Sequence, residues 1–144
     1  MRISIYQAGP LFTEAEKDWH KKLTLHLERA GFSVVWPGAL LSDSAIKAAG
    51  KDATALIYKT CKDAIDASTC VVALLDGTQV DDGTAWEMGY AHAKGLPIYG
   101  IRTDFRQGGD TKDHPVNSML WGCLTAYADS VPALLKCLPT PTSV

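Results

Sequence analysis

Six consecutive apolar residues, "CVVALL" at positions 70–75, run directly into the acidic stretch "DGTQVDDGT". A short run with no polar residue on alternate positions suits a strand buried on both faces, and such strands belong to parallel sheets covered by helices. The rest of the chain is readable in that light. "RISIY" is expected as a first strand, stopped at "QAGP" by glycine and proline. Thr13 and Glu16 then form a capping-box start, and Trp19, Leu23, Leu27 and Ala30 line one face of a helix closed by Gly31. "FSVVW" is the expected second strand, "PIYGI" the fourth and "LTAYA" the fifth. Helical spacing recurs in "ATALIYKTCKDAIDAS", where Ala53, Leu56, Ile57, Ala64 and Ile65 share a face, in "TAWEMGYAHAKG", and in "VPALLKCL". "VNSMLWG" reads as a short helical turn, and residues 37–51 and 103–115 read as long polar loops.

Strands that alternate with helices predict an α/β fold: a single doubly wound sheet of five parallel strands, flavodoxin- or Rossmann-like, with helices on both faces. At 144 residues the chain has room for one such domain, expected over 1–138, with "PTPTSV" at 139–144 as a loose tail. Fourteen basic against sixteen acidic residues, without a Lys/Arg stripe, argue against a nucleic-acid polymer as partner. No run reaches the roughly 18 apolar residues of a membrane span, and no signal peptide is evident, so a cytoplasmic protein without membrane contact is expected. Cys61, Cys70, Cys123 and Cys137 lack paired spacing and are expected as reduced core thiols. His20, His26, His92 and His114 show no metal-ligand spacing, and no metal is implied.

A doubly wound sheet binds ligands beyond the C-terminal ends of its strands. That rule selects "YQAGPLF", "DGTQVDDGTAWE" and "RTDFRQGGD". In the second of these, helix capping by Asp81 or Asp82 and turn formation at Gly77 and Gly83 account for part of the composition. They leave Glu87 unexplained. It falls between Trp86 and Met88 on a helix of small residues, where a carboxylate needs hydrogen-bond partners or a chemical task. Tyr6, at the end of the first strand, is the expected source of such a partner. For Arg102, Asp104 and Arg106, contact with a ligand or subunit and mutual pairing are equally open.

Three motifs, "YQAGPLF", "LLDGTQVDDGTAWEMGYA" and "VNSMLWG", resemble in kind and order those of the nucleoside 2-deoxyribosyltransferases, over roughly Ile3 to Gly122. The resemblance implies exchange of the base of a 2'-deoxynucleoside for another free nucleobase, with retention at the anomeric carbon and no cofactor. It implies that Glu87 is the nucleophile, that Tyr6 holds it, and that Asp81 contacts the nucleobase and handles its proton. Gly9, Pro10, Phe12, Asp76 and Gly83, from the first two motifs, are expected at the substrate. Asn117 and Met119 match residues that a neighbouring subunit contributes, which implies a homo-oligomer with shared active sites, with Trp121 as an interface anchor. Relatives carry a base-recognising acid on the helix before the third strand. Here that position falls on Cys61, with Asp63 two residues later.

The residue types suit the chemistry. Two carboxylates serve a retaining glycosyl transfer, one attacking C1' and one managing the leaving group's proton. Glu87 is expected to ionise near the usual glutamate value, about 4.3, and Asp81 to be raised by Asp76, Asp82 and Glu87. Two further readings stay open. One is a 2'-deoxynucleoside 5'-monophosphate N-glycosidase, whose pattern has a phosphate-binding serine where this chain has Asn117. The other is a nucleotide-sensing module that binds without turnover.

Overall fold

The computed structural model describes residues 2–141. Its centre is a five-stranded, all-parallel sheet in the order β2-β1-β3-β4-β5, formed by Ser4–Ala8 (β1), Ser33–Val35 (β2), Cys70–Leu74 (β3), Ile98–Ile101 (β4) and Ala126–Ala128 (β5). The apolar run at 70–75 is the middle strand, and all of β3 is buried. Its residues alternate between two cores because successive side chains of a strand point to opposite faces. Cys70, Val72 and Leu74 meet Leu23, Leu27 and Leu134, whereas Val71, Ala73 and Leu75 meet Ile65, Met88 and Ala91. The helices Glu14–Arg29 (α1) and Val131–Cys137 (α7) therefore cover one face. Ala53–Asp66 (α4) and Asp82–Ala93 (α5) cover the other, joined by the short Ser118–Gly122 (α6).

Local signals explain most boundaries. The α1 capping box forms as its residues dictate: Thr13 accepts from the Glu16 amide, and the Glu16 carboxylate takes the Thr13 amide at 2.7 Å and that of Phe12 at 2.8 Å. Gly31, at φ +98°, turns the chain out of α1 in a conformation that costs other residues more. β1 runs two residues beyond "RISIY", because Gln7 and Ala8 continue the ladder to Val72 and Ala73.

Residues 37–51 do not form the expected loop. They fold as Pro37–Leu40 (α2), Asp43–Ala49 (α3) and the 3-10 turn Gly50–Asp52 that leads into α4. Pro37 occupies the first turn of α2, where no amide donor is needed, and the Ser42 hydroxyl caps α3 by accepting from Ala45. The thiols also differ from expectation. Cys70 is buried, Cys61 and Cys123 are half-buried, and Cys137 is exposed; all four are free. The tail expected at 139–144 falls partly on residues 142–144, which lie outside the described residues.

Candidate active site

The order β2-β1-β3 means that the chain leaves β1 for one edge of the sheet and returns on the other side of β1 to build β3. The segments following β1 and β3 diverge at this switch point and open a crevice. A cleft of about 600 Å³ lies there. Gly9, Leu11 and Phe12 form one wall, Trp36 to Gly38 and the start of α3 a second, and Ile57 and Cys61 of α4 a third. Asp81, Gly83, Thr84 and Glu87 line it from the loop after β3 and from α5.

Tyr6 and Glu87, 81 positions apart, meet beside this cleft: the Tyr6 hydroxyl donates to Glu87 Oε1 at 2.7 Å. Tyr6 is fully buried, and burial with the adjacent Glu87 charge keeps its hydroxyl protonated far above the tyrosine norm. The hydrogen bond therefore runs in one direction, and Glu87 Oε2 has no hydrogen-bond partner among the described residues. Glu87 itself departs from the sequence expectation. Desolvation pushes its carboxyl up to about 7; the Tyr6 hydrogen bond opposes the rise and the Asp81 charge adds to it. The half-buried side chain on α5 pays for proximity to the core in lost hydration.

Asp81 is the N-cap of α5. Its Oδ2 accepts from the Thr84 amide at 2.9 Å and the Thr84 hydroxyl at 3.0 Å, while Oδ1 faces no protein donor among the described residues. Both carboxylates thus have one oxygen anchored and one available. Lys17 and Lys21, one turn apart on α1, also line the cleft and add positive charge; Lys17 lies 3.9 Å from Asp43.

Other predicted site residues are placed differently. Asp76 does not reach the cleft. Its carboxylate accepts from the Thr103 amide at 2.6 Å, the Thr103 hydroxyl and the Asp104 amide, tying the loop after β3 to the one after β4. Pro10 contributes a backbone carbonyl inward, to His20 Nε2 at 2.9 Å, and is not part of the cleft lining. Asn117 and Met119 do not line the cleft of their own chain. Asn117 caps α6 through Oδ1 on the Met119 amide at 2.9 Å and borders a separate cavity of about 390 Å³, and Met119 is 82% exposed. Trp121, expected at a subunit contact, is half-buried in its own chain, its ring 4.1 Å from His114 and 5.1 Å from Tyr127 between centroids. Arg102, Asp104 and Arg106 bind one another's surroundings: Arg106 pairs with Asp104, and Arg102, 2% exposed, donates to the carbonyls of Leu75, Gly77 and Arg106.

Of the two residues at the family's acid position, Cys61 lines the cleft and Asp63 pairs with Lys59 on the surface. Trp36 and Ile57 are lining residues that the sequence reading does not single out as such. The strand-end rule that selected "YQAGPLF" would also have selected Trp36, which directly follows β2. Among the described residues no group of three His, Cys, Asp or Glu side chains could hold a metal ion, and no helix is long and apolar enough to cross a membrane.

The model of the nucleoside 2-deoxyribosyltransferase family matches residues 5–119. No curated protein sequence matches the chain. Among solved structures, a conserved protein of Enterococcus faecalis V583 is similar at 27% identity with a TM-score of 0.75, over 94% of this chain and 96% of that one. The 2-deoxyribosyltransferase of Bacillus psychrosaccharolyticus shares the fold at 20% identity, with a TM-score of 0.76 over 97% and 99% of the two chains. So does the CMP N-glycosidase BcmB of Clostridium botulinum, at 19% identity and a TM-score of 0.57 over 92% and 96%. With the family's model spanning both the Tyr6 strand and the Asp81–Glu87 segment, the chain belongs to the nucleoside 2-deoxyribosyltransferase family.

Proposed function

We propose that the protein exchanges the base of 2'-deoxynucleosides for a free nucleobase through a covalent deoxyribosyl-Glu87 intermediate, a reaction of nucleotide salvage. The observation that carries this reading is the Tyr6–Glu87 pair beside a cleft that Asp81 also lines. Tyr6 pins Oε1, so Oε2 is the oxygen that attacks C1'. As the C1'–O bond forms, the C1'–N bond breaks, its electron pair goes to the base, and Asp81 Oδ1 relays a proton from solvent to the departing nitrogen. The incoming base reverses these steps. It attacks C1', expels the Glu87 carboxylate and loses its proton to solvent by way of Asp81. Two displacements on opposite faces give net retention.

The ionised form of Glu87 is the reactive one, and burial raises the energy of that form. Charge developing on the sugar during transfer compensates the carboxylate, so the interaction strengthens toward the transition state. Met119 and Asn117 support a site completed by a second copy, since neither lines the cleft of its own chain and Met119 is exposed to a partner.

Hydrolysis of 2'-deoxynucleoside 5'-monophosphates is the second reading; it keeps Tyr6, Asp81 and Glu87 and lets water take the sugar. Against it, Ser118, next to Asn117, already donates its hydroxyl to Asp110 at 2.9 Å. The test is chromatography of the pure protein with 2'-deoxyinosine and adenine, beside 2'-deoxyguanosine 5'-monophosphate alone, with Glu87→Ala as control. New 2'-deoxyadenosine from wild type alone is the expected result. Guanine released from the monophosphate without exchange would establish the hydrolase instead, and no turnover of either would leave a binding module.

A further inference from the structure

His20 is a fully buried imidazole on α1 that the proposed chemistry does not use. Both of its ring nitrogens are engaged. Nδ1 lies 2.8 Å from Gln7 Nε2, and Nε2 lies 2.9 Å from the Pro10 carbonyl. The identity of the Gln7 nitrogen is set independently: it also donates to the His20 carbonyl at 3.0 Å, while Gln7 Oε1 accepts from the Thr24 hydroxyl at 3.3 Å. A nitrogen that can only donate requires an unprotonated Nδ1, so the proton of the neutral ring sits on Nε2 and points at Pro10.

The ring faces also bear on the cleft. One lies parallel to Trp36, with centroids 5.4 Å apart and 6° between planes. Gly9 passes so close that a Cβ there would stand 2.6 Å from His20 Cε1. Gly9, Leu11, Phe12 and Trp36 are cleft-lining residues, and the far end of the same segment is held by the Glu16 carboxylate on the Phe12 and Thr13 amides. One imidazole therefore joins two walls of the cleft, and the nucleophile is held separately by Tyr6.

We infer that His20 is a positioning residue for the nucleoside: through Pro10 and Trp36 it holds the Gly9–Phe12 wall and the aromatic wall in register, setting substrate affinity without touching the reacting atoms. The inference rests on the base-exchange reading for its substrate. Three substitutions dissect it. In His20→Gln the amide nitrogen can replace Nε2 and keep the Pro10 bond; in His20→Asn the side-chain oxygen can replace Nδ1 and keep only Gln7; His20→Phe keeps a ring against Trp36 and loses both bonds.

The assay is steady-state base exchange at matched folded fraction, measured with thermal unfolding of each variant. For His20→Phe the expected result is a KM for the 2'-deoxynucleoside raised about tenfold, equivalent to about 1.4 kcal/mol, with kcat within about threefold of wild type. His20→Gln is expected to recover most of the KM and His20→Asn little of it. Unchanged KM in His20→Phe, or Asn and Gln variants that track melting temperature alone, would overturn the inference. If His20→Phe does not fold, the Gln and Asn comparison decides in the same way. If wild type turns over no substrate, the base-exchange reading has failed, and calorimetric binding of 2'-deoxyinosine takes the place of KM. Equal affinity in wild type and variants, or no binding by wild type, would then overturn the role given to His20.

Discussion

Replacing Glu87 by Gln separates the cost of a buried nucleophile from its use. The wild-type carboxyl moves from 4.5 to about 7 on folding, chiefly through desolvation. Below pH 4.5 it is protonated in both folded and unfolded chains, so it carries no penalty. Between 4.5 and 7 the unfolded chain releases the proton and the folded one retains it, so stability falls as pH rises. Each pH unit across that interval is worth about 1.4 kcal/mol, which makes the ionised Glu87 a burden of roughly 3 kcal/mol above pH 7. Glutamine has nearly the same shape, can still accept from Tyr6, and carries no charge. Glu87→Gln is therefore expected to match wild type near pH 4.5 and to exceed it by roughly 3 kcal/mol at pH 8, while base exchange is abolished. For a chain near 150 residues that difference raises the melting temperature by about 6–12 °C. The assay is calorimetric or fluorescence-monitored unfolding of both proteins from pH 4.5 to 8.5 at one protein concentration, since association would otherwise shift the midpoints. A variant no more stable than wild type at pH 8, or one whose advantage does not vary with pH, would refute the reasoning.

Three other outcomes follow from the same geometry. The kcat/KM for exchange is expected to rise as pH increases through about 7, where Glu87 ionises in the free protein; a profile flat from pH 5 to 8 would show that this ionisation does not limit the reaction. Tyr6→Phe removes the hydrogen bond that favours the carboxylate, so the inflection is expected to move to higher pH and exchange at pH 7 to fall about ten- to a hundredfold. An unshifted inflection would deny Tyr6 that role. If Asn117 serves the site of another copy, Glu87→Ala and Asn117→Ala proteins, each inactive alone, are expected to regain exchange when dissociated and reassembled together, with about one site in four intact at equal mixing. No recovery in assemblies shown to contain both chains would place Asn117 outside a shared site.

Local sequence terms determined a good deal of this protein. The unbroken apolar run at 70–75 implied a strand buried on both faces, and β3 lies at the centre of the sheet with its side chains divided between two cores. Thr13 and Glu16 determined where α1 starts, because a capping box is an interaction between residues three apart. The helices at 37–49 were less legible, since their alanines and Gly38 dilute the hydrophobic period and their start signals are single residues, Pro37 and Ser42. Folding alone decided the rest. Glu87 lies within hydrogen-bond reach of Tyr6 because β1 and β3 are neighbours and α5 packs back across them, a relation no local pattern contains. The acids of the loop after β3 look alike in the sequence, yet Asp81 lines the cleft and Asp76 is consumed in joining two loops. The carboxyl chemistry of Glu87 follows the same division: its residue type is written in the chain, but desolvation and a neighbouring charge act through space and exist only once the sheet and helices have closed around it.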